Sequence, residues 1–114
     1  MKFERFEDII AWQKSKELVL SIYPCFKESL DHSFKNQIQR ASVSIMNNIA
    51  EGFERKTNKE FTRYLFIAKG SCAEVRSMLY LALELKYISR LDFDRNHELA
   101  LEISRILSGL IKSL

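Results

Sequence analysis

The feature that most constrains this chain is a long stretch, residues 57–86, in which apolar side chains recur at helical spacing. Thr57 and Glu60 have the spacing of a helix-capping box, and only Gly70 interrupts the helix-forming residues that follow. A helix over this stretch has about 27 residues and a length of roughly 40 Å. One apolar stripe is expected to face a core, and its members are Phe61, Leu65, Ala68, Cys72, Val75, Leu79 and Ala82.

Three further helices are predicted around this one. The first begins at Asp8 as its N-cap, and Pro24 is expected to bend or break it near Tyr23. Its predicted apolar positions are Ile9, Trp12, Val19, Tyr23 and Phe26. Gly52 is expected to end the second helix, whose stripe comprises Phe34, Ile38, Ala41, Ile45, Asn48, Ile49 and Gly52. Ser89 and Asp92 form a cap-like pair before the last helix, whose stripe comprises Phe93, His97, Ala100, Ile103, Leu107, Leu110 and Leu114.

The composition agrees with helices, because 3 Gly and 1 Pro leave little turn material for an all-β chain. Short connections between long helices make neighbouring helices antiparallel. We therefore predict an all-α protein, an antiparallel up-down-up-down four-helix bundle in which residues 1–114 form a single domain.

The third helix is apolar on more sides than one bundle is expected to cover. A second stripe comprises Tyr64, Ile67, Ser71, Met78, Leu81 and Leu85. Four more residues lie outside both stripes and are our predicted oligomer interface: Phe66, Ala73, Tyr80 and Leu83. We expect other copies of the chain to cover this surface. The alternative is that the third helix is simply the central member of a lopsided bundle.

The charge is uneven along the chain. The formal net charge is +3, and residues 35–76 hold eight basic and four acidic side chains. This excess suits phosphate groups, although a solvated charged face explains it equally well. The sequence has no secretory signal and no apolar run long enough to span a bilayer, so we expect a cytoplasmic protein without a membrane role. In that reducing compartment Cys25 and Cys72 are expected to be small buried hydrophobic residues.

Signals for catalysis or metal binding are weak, so we predict no enzyme activity, no metal and no cofactor. The two His and two Cys residues are scattered, and Asp94 with His97 forms only one acid-x-x-His pair. No Gly-rich phosphate loop is present. Ser71 has no histidine tied to it by a sequence pattern, so a nucleophilic role has little support.

One polar set lies where a packed bundle is expected to have its core. It comprises Ser44, Asn48 and Glu51 on the second helix and Ser71 and Glu74 on the third, with Arg40 nearby. Buried polar groups need hydrogen-bond partners. We interpret the set as a structural network that fixes helix register or an oligomer contact, with a ligand site as the alternative.

Three runs of sequence resemble a known family. They are Gln37 to Ala41, Ser44 to Gly52 with its Asn-Ile-Ala-Glu-Gly ending, and Glu60 to Glu74. The chain resembles the 23S rRNA intervening-sequence proteins over nearly its whole length, since Phe6 to Lys14 and Leu107 to Leu114 also match the family's pattern. It departs at Met46 and Asn47, where relatives often have Pro-Ala, and at Pro24.

The resemblance implies a four-helix bundle that assembles into a homopentameric ring, without established enzymatic activity. Related proteins include the accessory variability determinant of diversity-generating retroelements, a basic pentamer that binds nucleic acid and a reverse transcriptase. By this similarity our candidate phosphate contacts are Arg40, Arg55, Lys56, Lys59, Arg63, Lys69 and Arg76.

The sequence therefore favours a non-enzymatic homo-oligomer that binds structured RNA or other nucleic acid without reading bases. Phe53 and Tyr64 are the only aromatic residues near the predicted basic cluster, so a single-strand stacking platform has little support there. The second interpretation is a protein-interaction scaffold whose positive charge is incidental. A third, a hydrolase that uses Ser71 or Glu74, requires that their substitution abolish an activity.

Overall fold

The computed structural model describes residues 3–114, and within that range it contains helices and no strand. A short 3-10 helix, Phe6–Asp8, precedes four α-helices: α1 (Ile10–Cys25), α2 (His32–Phe53), α3 (Asn58–Glu84) and α4 (Arg90–Ser113). Each α-helix packs against two others, in the closed order α1, α2, α3, α4, so that α1 and α3 lie at opposite corners. The predicted four-helix bundle is confirmed.

Side-chain caps begin three of the helices. The Thr57 hydroxyl accepts a hydrogen bond from the Glu60 backbone N–H at 3.1 Å, and Ser89 accepts one from Asp92 at 3.0 Å, as the sequence predicted. Asp31 caps α2 in the same way, since its carboxylate accepts from the Phe34 N–H at 3.1 Å. These caps satisfy N–H groups that a helix start leaves without partners.

Two predicted helix boundaries are wrong. Asp8 belongs to the 3-10 helix, and the N-cap of α1 is Ile9, whose side chain offers no cap hydrogen bond. Gly52 does not end α2, which continues through Phe53 with negative φ at the glycine. Pro24 lies in the last turn of α1, which ends one residue later, so the predicted break falls at the helix end.

The end of α3 is a Schellman turn that contains no glycine. The Tyr87 N–H donates to the Ala82 carbonyl at 2.8 Å, and the Lys86 N–H donates to that of Leu83 at 3.1 Å. Lys86 has φ 63°, in the left-handed region that glycine adopts most easily. The chain therefore carries local backbone strain between α3 and α4.

The core confirms the predicted inner stripe of α3, all seven members of which are buried. On α2 every predicted position is buried except Asn48, which is half-buried. The predicted α1 stripe is right at its two ends, where Ile9 and Phe26 are buried, and wrong between them. Tyr23 is exposed and Trp12 and Val19 are half-buried, because the helix buries the neighbouring positions Ala11, Ser15, Leu18 and Ile22. Residues 18–23 are apolar at nearly every position, so two neighbouring stripes fit the spacing equally well. On α4 the predicted Phe93, Ala100, Ile103 and Leu107 are buried. Asn96 is buried where His97 was expected, and His97, Leu110 and Leu114 are half-buried.

Candidate nucleic-acid interface

Four of the seven predicted phosphate-binding residues lie together where α2 gives way to α3. Arg55 and Lys56 occupy the connection, and Lys59 and Arg63 follow on the first turns of α3, one helical turn apart. All four are exposed. We call this group, Arg55, Lys56, Lys59 and Arg63, the corner cluster.

Tyr64 organises the corner cluster. The Arg55 guanidinium lies 4.9 Å from the centre of the Tyr64 ring and donates to its hydroxyl, and the Arg63 guanidinium lies 5.8 Å from the same ring. The Glu51 carboxylate lies 3.4 Å from both the Arg55 Nη2 and the Tyr64 hydroxyl. These contacts raise the pKa of Arg55, and Tyr64 is the largest cause of that shift. They also restrict the movement of its guanidinium.

The close approach of α2 to α3 brings Tyr64 to this position. A Cβ atom placed on Gly52 would lie 2.5 Å from the Tyr64 Cβ and 3.2 Å from the Phe61 Cδ1. The only side chain that fits at position 52 is therefore the hydrogen of glycine. The predicted role of Gly52 as a helix end is replaced by a role in helix packing.

The other three predicted phosphate contacts do not join the corner cluster. Arg40 is exposed midway along α2. Lys69 is half-buried and faces α4, where its Nζ donates to the Ser108 hydroxyl at 2.9 Å. Arg76 is half-buried and close enough to Cys72 for its charge to favour the thiolate. The seven residues therefore cover at least three parts of the surface.

Three of the five residues in the predicted polar network are in contact. The hydroxyls of Ser44 and Ser71 lie 3.0 Å apart across the α2–α3 interface, and the Asn48 amide donates to the Ser44 hydroxyl at 3.0 Å. Glu51 belongs to the corner cluster's surroundings instead, and Glu74 is exposed and accepts from the Gln37 amide at 3.2 Å. The three connected residues fix how α2 and α3 face each other.

A groove of about 510 Å³ opens beside this contact between α2 and α3. It is lined by hydroxyls and amides, with Arg40 and Glu74 supplying opposite charges. The carboxylate makes the groove a poor site for a phosphate group, because the two anions repel. Arg40 therefore differs from the corner cluster both in its position and in sharing a groove with a carboxylate.

The outward face of α3 is exposed and largely apolar. Phe66 is 56% exposed and Tyr80 is 53% exposed, and Ala73 lies on the same face. Leu83 differs, because it is half-buried and packs against the bundle core. Three residues of the predicted second stripe join the exposed face instead, namely Ile67, Leu81 and Leu85. We call Phe66, Ile67, Ala73, Tyr80, Leu81 and Leu85 the outer α3 face.

Three residues of nucleophilic or metal-binding type, Cys72, His97 and Ser71, make contacts within the bundle. Cys72 is buried, its thiol donates to the Ala100 carbonyl at 3.0 Å, and burial raises its pKa to about 11. His97 stacks on Phe93 with ring centres 5.1 Å apart. The Ser71 hydroxyl faces Ser44. Across residues 3–114 no group of three or more His, Cys, Asp or Glu side chains is placed to hold a metal ion.

A second basic region, which the sequence did not predict, lies at the other end of α2. Tyr23, Lys27, Lys35 and Gln39 surround a groove between α1 and α2. The signal was present in the sequence, because Tyr23 and Lys27 are one helical turn apart. It was hidden because Tyr23 was assigned to the core.

The structure has no helix within residues 3–114 with the length and apolar character that crossing a bilayer requires. No curated protein matches the chain. A solved structure of a protein with unknown function from the S23 ribosomal protein family of Bacteroides thetaiotaomicron is similar, with 27% sequence identity and a TM-score of 0.85. The match covers 90% of this chain and 99% of that one. The family model of the 23S rRNA-intervening sequence proteins matches residues 7–109, a range that includes all four helices up to the last turn of α4, and the chain therefore belongs to this family.

Proposed function

We propose that this protein is a non-enzymatic, self-associating cytoplasmic bundle that binds RNA or other nucleic acid through the corner cluster. The observation that carries the proposal is the grouping of four exposed cations within nine residues of sequence, at one end of the α2–α3 pair. Of these, only Arg55 has a carboxylate partner within 4 Å among residues 3–114, namely Glu51. Lys56, Lys59 and Arg63 keep their full charge for a polyanion.

The corner cluster suits phosphate groups better than base edges. Its side chains are long, exposed and carried on the α2–α3 connection and the first turns of α3, so they are able to reach a phosphate backbone without entering a groove. Arg55 is held by Tyr64 and Glu51, which lowers the entropy lost when it binds a phosphate. Binding is therefore proposed to depend on charge and shape, with little dependence on base sequence.

Self-association is proposed to use the outer α3 face. An exposed apolar face of this length is unusual on a monomeric protein, because water contact with apolar surface is unfavourable. At its edge the Tyr80 ring packs against Phe93 and His97 of α4 and is still 53% exposed. Another molecule is proposed to cover the apolar surface that remains open. The resemblance to ring-forming relatives supports a pentamer, which repeats the corner cluster on every copy.

Salt dependence of RNA binding tests the nucleic-acid proposal. Four phosphate contacts predict a slope of about −3.6 in log K against log salt, or roughly a 100-fold loss of affinity between 50 mM and 200 mM salt. Fluorescence anisotropy with a labelled 16-base-pair RNA duplex measures this slope. Arg63→Glu is expected to weaken binding by tenfold or more and to lower the slope by about one.

Arg105→Glu is the matched control for that variant. Arg105 is exposed on α4, and its substitution changes the net charge by the same amount. Equal losses from both variants would show that only total charge matters, and the corner cluster would have no special role. No binding by the wild-type protein at 50 mM salt would refute the nucleic-acid proposal.

Native mass spectrometry and sedimentation velocity test self-association. Leu81→Glu places a charge on the outer α3 face and is expected to give monomers. Leu91→Glu is the matched control, because Leu91 is 74% exposed on α4 and lies outside that face. A wild-type protein that stays monomeric at high concentration would refute the proposed assembly.

A protein-interaction scaffold is the second candidate, and the outer α3 face is the observation that favours it. A scaffold needs the exposed apolar face and has no use for the corner cluster. It predicts an assembled protein that binds no RNA at low salt and whose Arg63→Glu variant keeps its partners.

A further inference from the structure

The groove between α1 and α2 has a volume of about 540 Å³, which is within the usual range for small-ligand sites. Five residues line it: Tyr23, Pro24 and Lys27 from the end of α1 and its following turn, and Lys35 and Gln39 from the first turns of α2. It lies apart from the corner cluster, because Gln39 is 16 residues before Arg55, or roughly 24 Å along a helix.

Tyr23 presents an open aromatic surface to this groove. Its side chain is 42% exposed, since the buried face of α1 passes through Ile22 instead. Within residues 3–114 its ring has no aromatic neighbour in contact, and its hydroxyl has no hydrogen-bond partner in the structure. An exposed flat ring of this kind is a surface on which a nucleobase stacks.

Two lysines line the same groove as the ring. The Lys35 Nζ donates to the backbone carbonyl of Lys27 at 3.3 Å, which places it at the end of α1 and leaves two of its three donors unused. Lys27 is exposed. Neither lysine has a carboxylate within 4 Å in the described part of the chain, so both positive charges are uncompensated.

We propose that this groove binds an unpaired nucleotide of a nucleic-acid strand, with the base on the Tyr23 ring and the phosphate at Lys27 and Lys35. Gln39 adds an amide that donates to and accepts from a base edge. A groove lined by an aromatic ring, two cations without carboxylate partners and one amide matches a base joined to a phosphate more closely than an acidic peptide, which offers charge and no flat ring. This proposal rests on the proposed function and extends it, because the protein would then bind single-stranded segments as well as the duplex at the corner cluster.

A short track along α1 extends the site. Lys16 lies 5.4 Å from the centre of the Trp12 ring, and Trp12, Lys16 and Tyr23 occupy one side of α1. Lys27 follows in the turn after the helix. Lys16 and Lys27 are 11 residues apart, or about 16 Å. A strand of a few nucleotides spans this distance, so the α1 side is able to guide the strand beyond the groove.

The test compares two labelled RNAs by anisotropy: a blunt 16-base-pair duplex, and the same duplex with a ten-uridine single-stranded tail. The wild-type protein is expected to bind the tailed RNA more tightly. Tyr23→Ala is expected to weaken binding of the tailed RNA by about fivefold or more and to leave the blunt duplex unchanged. Tyr23→Phe keeps the ring and is expected to keep the affinity. Lys27→Ala is expected to lower the salt slope for the tailed RNA by about 0.7.

Ile10→Ala is the matched control, because it also removes an exposed apolar side chain from α1 and lies about 140° around the helix from Tyr23, outside the groove and the track. Equal wild-type affinity for both RNAs, or no effect of Tyr23→Ala, would overturn the proposal. So would displacement of the tailed RNA by a poly-glutamate peptide as effectively as by oligouridine.

The same data separate this site from the corner cluster. If the blunt duplex binds through Arg63 and the tail has no effect, the proposal for the groove is refuted and the proposed function is supported. If a ten-uridine strand binds through Tyr23 and the blunt duplex does not bind, the proposal for the groove is supported and the proposed role of the corner cluster is refuted. Free uridine monophosphate in competition shows whether the site needs a strand or takes a single nucleotide.

Discussion

Gly52 is the position where a single methyl group should do the most damage at the candidate site. Alanine at this position brings its Cβ to 2.5 Å from the Tyr64 Cβ, whereas carbon atoms in contact normally lie about 3.5–4.0 Å apart. The Tyr64 Cβ is fixed to the backbone and cannot rotate away. The variant must therefore move α2 and α3 apart by about 1 Å.

The net effect on stability follows from two opposing contributions. Replacing a helical glycine with alanine gains about 1 kcal/mol in helix propensity. Overpacking a filled contact costs about 1–3 kcal/mol, and the overlap of two backbone-attached carbons places this case at the upper end. Gly52→Ala should therefore reduce the free energy of unfolding by about 2 kcal/mol, which lowers the Tm by roughly 8 °C for a domain of this size.

Thermal and urea denaturation followed by circular dichroism, at one protein concentration, measure this change. Gly109→Ala is the matched control, because nothing lies within 4 Å of its added Cβ inside α4. The control should raise the Tm by a few degrees through propensity alone. A Gly52→Ala protein at least as stable as the wild type would refute the reasoning, since the two helices would then accommodate the methyl group without cost.

Gly52→Ala should also affect RNA binding, because the contact of α2 with α3 positions the corner cluster. Moving α3 away from α2 separates Tyr64 from Glu51 and Arg55, which lie 3.4 Å apart from each other and hold the corner cluster in place. Binding of the blunt RNA duplex should therefore weaken in Gly52→Ala even at temperatures where the protein is folded. Unchanged RNA affinity would show that the order of Arg55 does not contribute to binding.

Lys86→Gly should raise the free energy of unfolding by about 0.5–1 kcal/mol, because glycine adopts the φ of 63° without strain; urea denaturation measures the gain. The hydrogen bond from Tyr87 to Asp31, followed by that from the Phe34 N–H, lowers the pKa of Asp31. A lowered folded-state pKa gives stability that is present above the unfolded pKa near 4 and is lost as pH falls through the folded value. The Tm of Asp31→Asn should therefore depend less on pH below about 4 than that of the wild type. Burial raises the pKa of both thiols, that of Cys72 to about 11, and Cys72 is fully buried whereas Cys25 is half-buried. A maleimide should therefore modify Cys25 well before Cys72; mass spectrometry of peptides measures both rates.

The fold was predictable where sequence spacing leaves one solution. On α3 the inner stripe and the Thr57 cap are set by local rules, and both agree with the structure. On α1 the spacing leaves two solutions, and the choice between them depends on how the short 3-10 helix and Ile9 pack into the core. Tertiary packing of that kind has no signal in the spacing of α1 alone.

The candidate site was predictable only where its residues are close in sequence. The corner cluster falls within one connection and two helical turns, so its members share a surface in any bundle. Lys69 and Arg76 are also on α3, but both are half-buried away from the corner cluster, and Lys69 contacts Ser108 of α4. Direction around a helix changes by about 100° per residue, so nearness in sequence does not place them on the same surface as the cluster. The groove at Tyr23 was not predictable in this way, because its walls come from two helices and because the apolar spacing of α1 places the Tyr23 ring in the core.

Loss of assembly should weaken RNA binding, whereas loss of RNA binding should leave the assembly intact. A corner cluster with four cations gives weak binding at physiological salt, and joined copies raise the effective concentration of each cluster on one RNA. Leu81 lies 18 residues after Arg63, or about 27 Å along α3, so it does not touch RNA bound at the corner cluster. A Leu81→Glu monomer should therefore lose RNA affinity through lost avidity, while Leu91→Glu, with the same added charge, keeps it. Arg63→Glu should lose RNA and remain assembled, and equal RNA affinity of monomer and assembly would show that each copy binds alone.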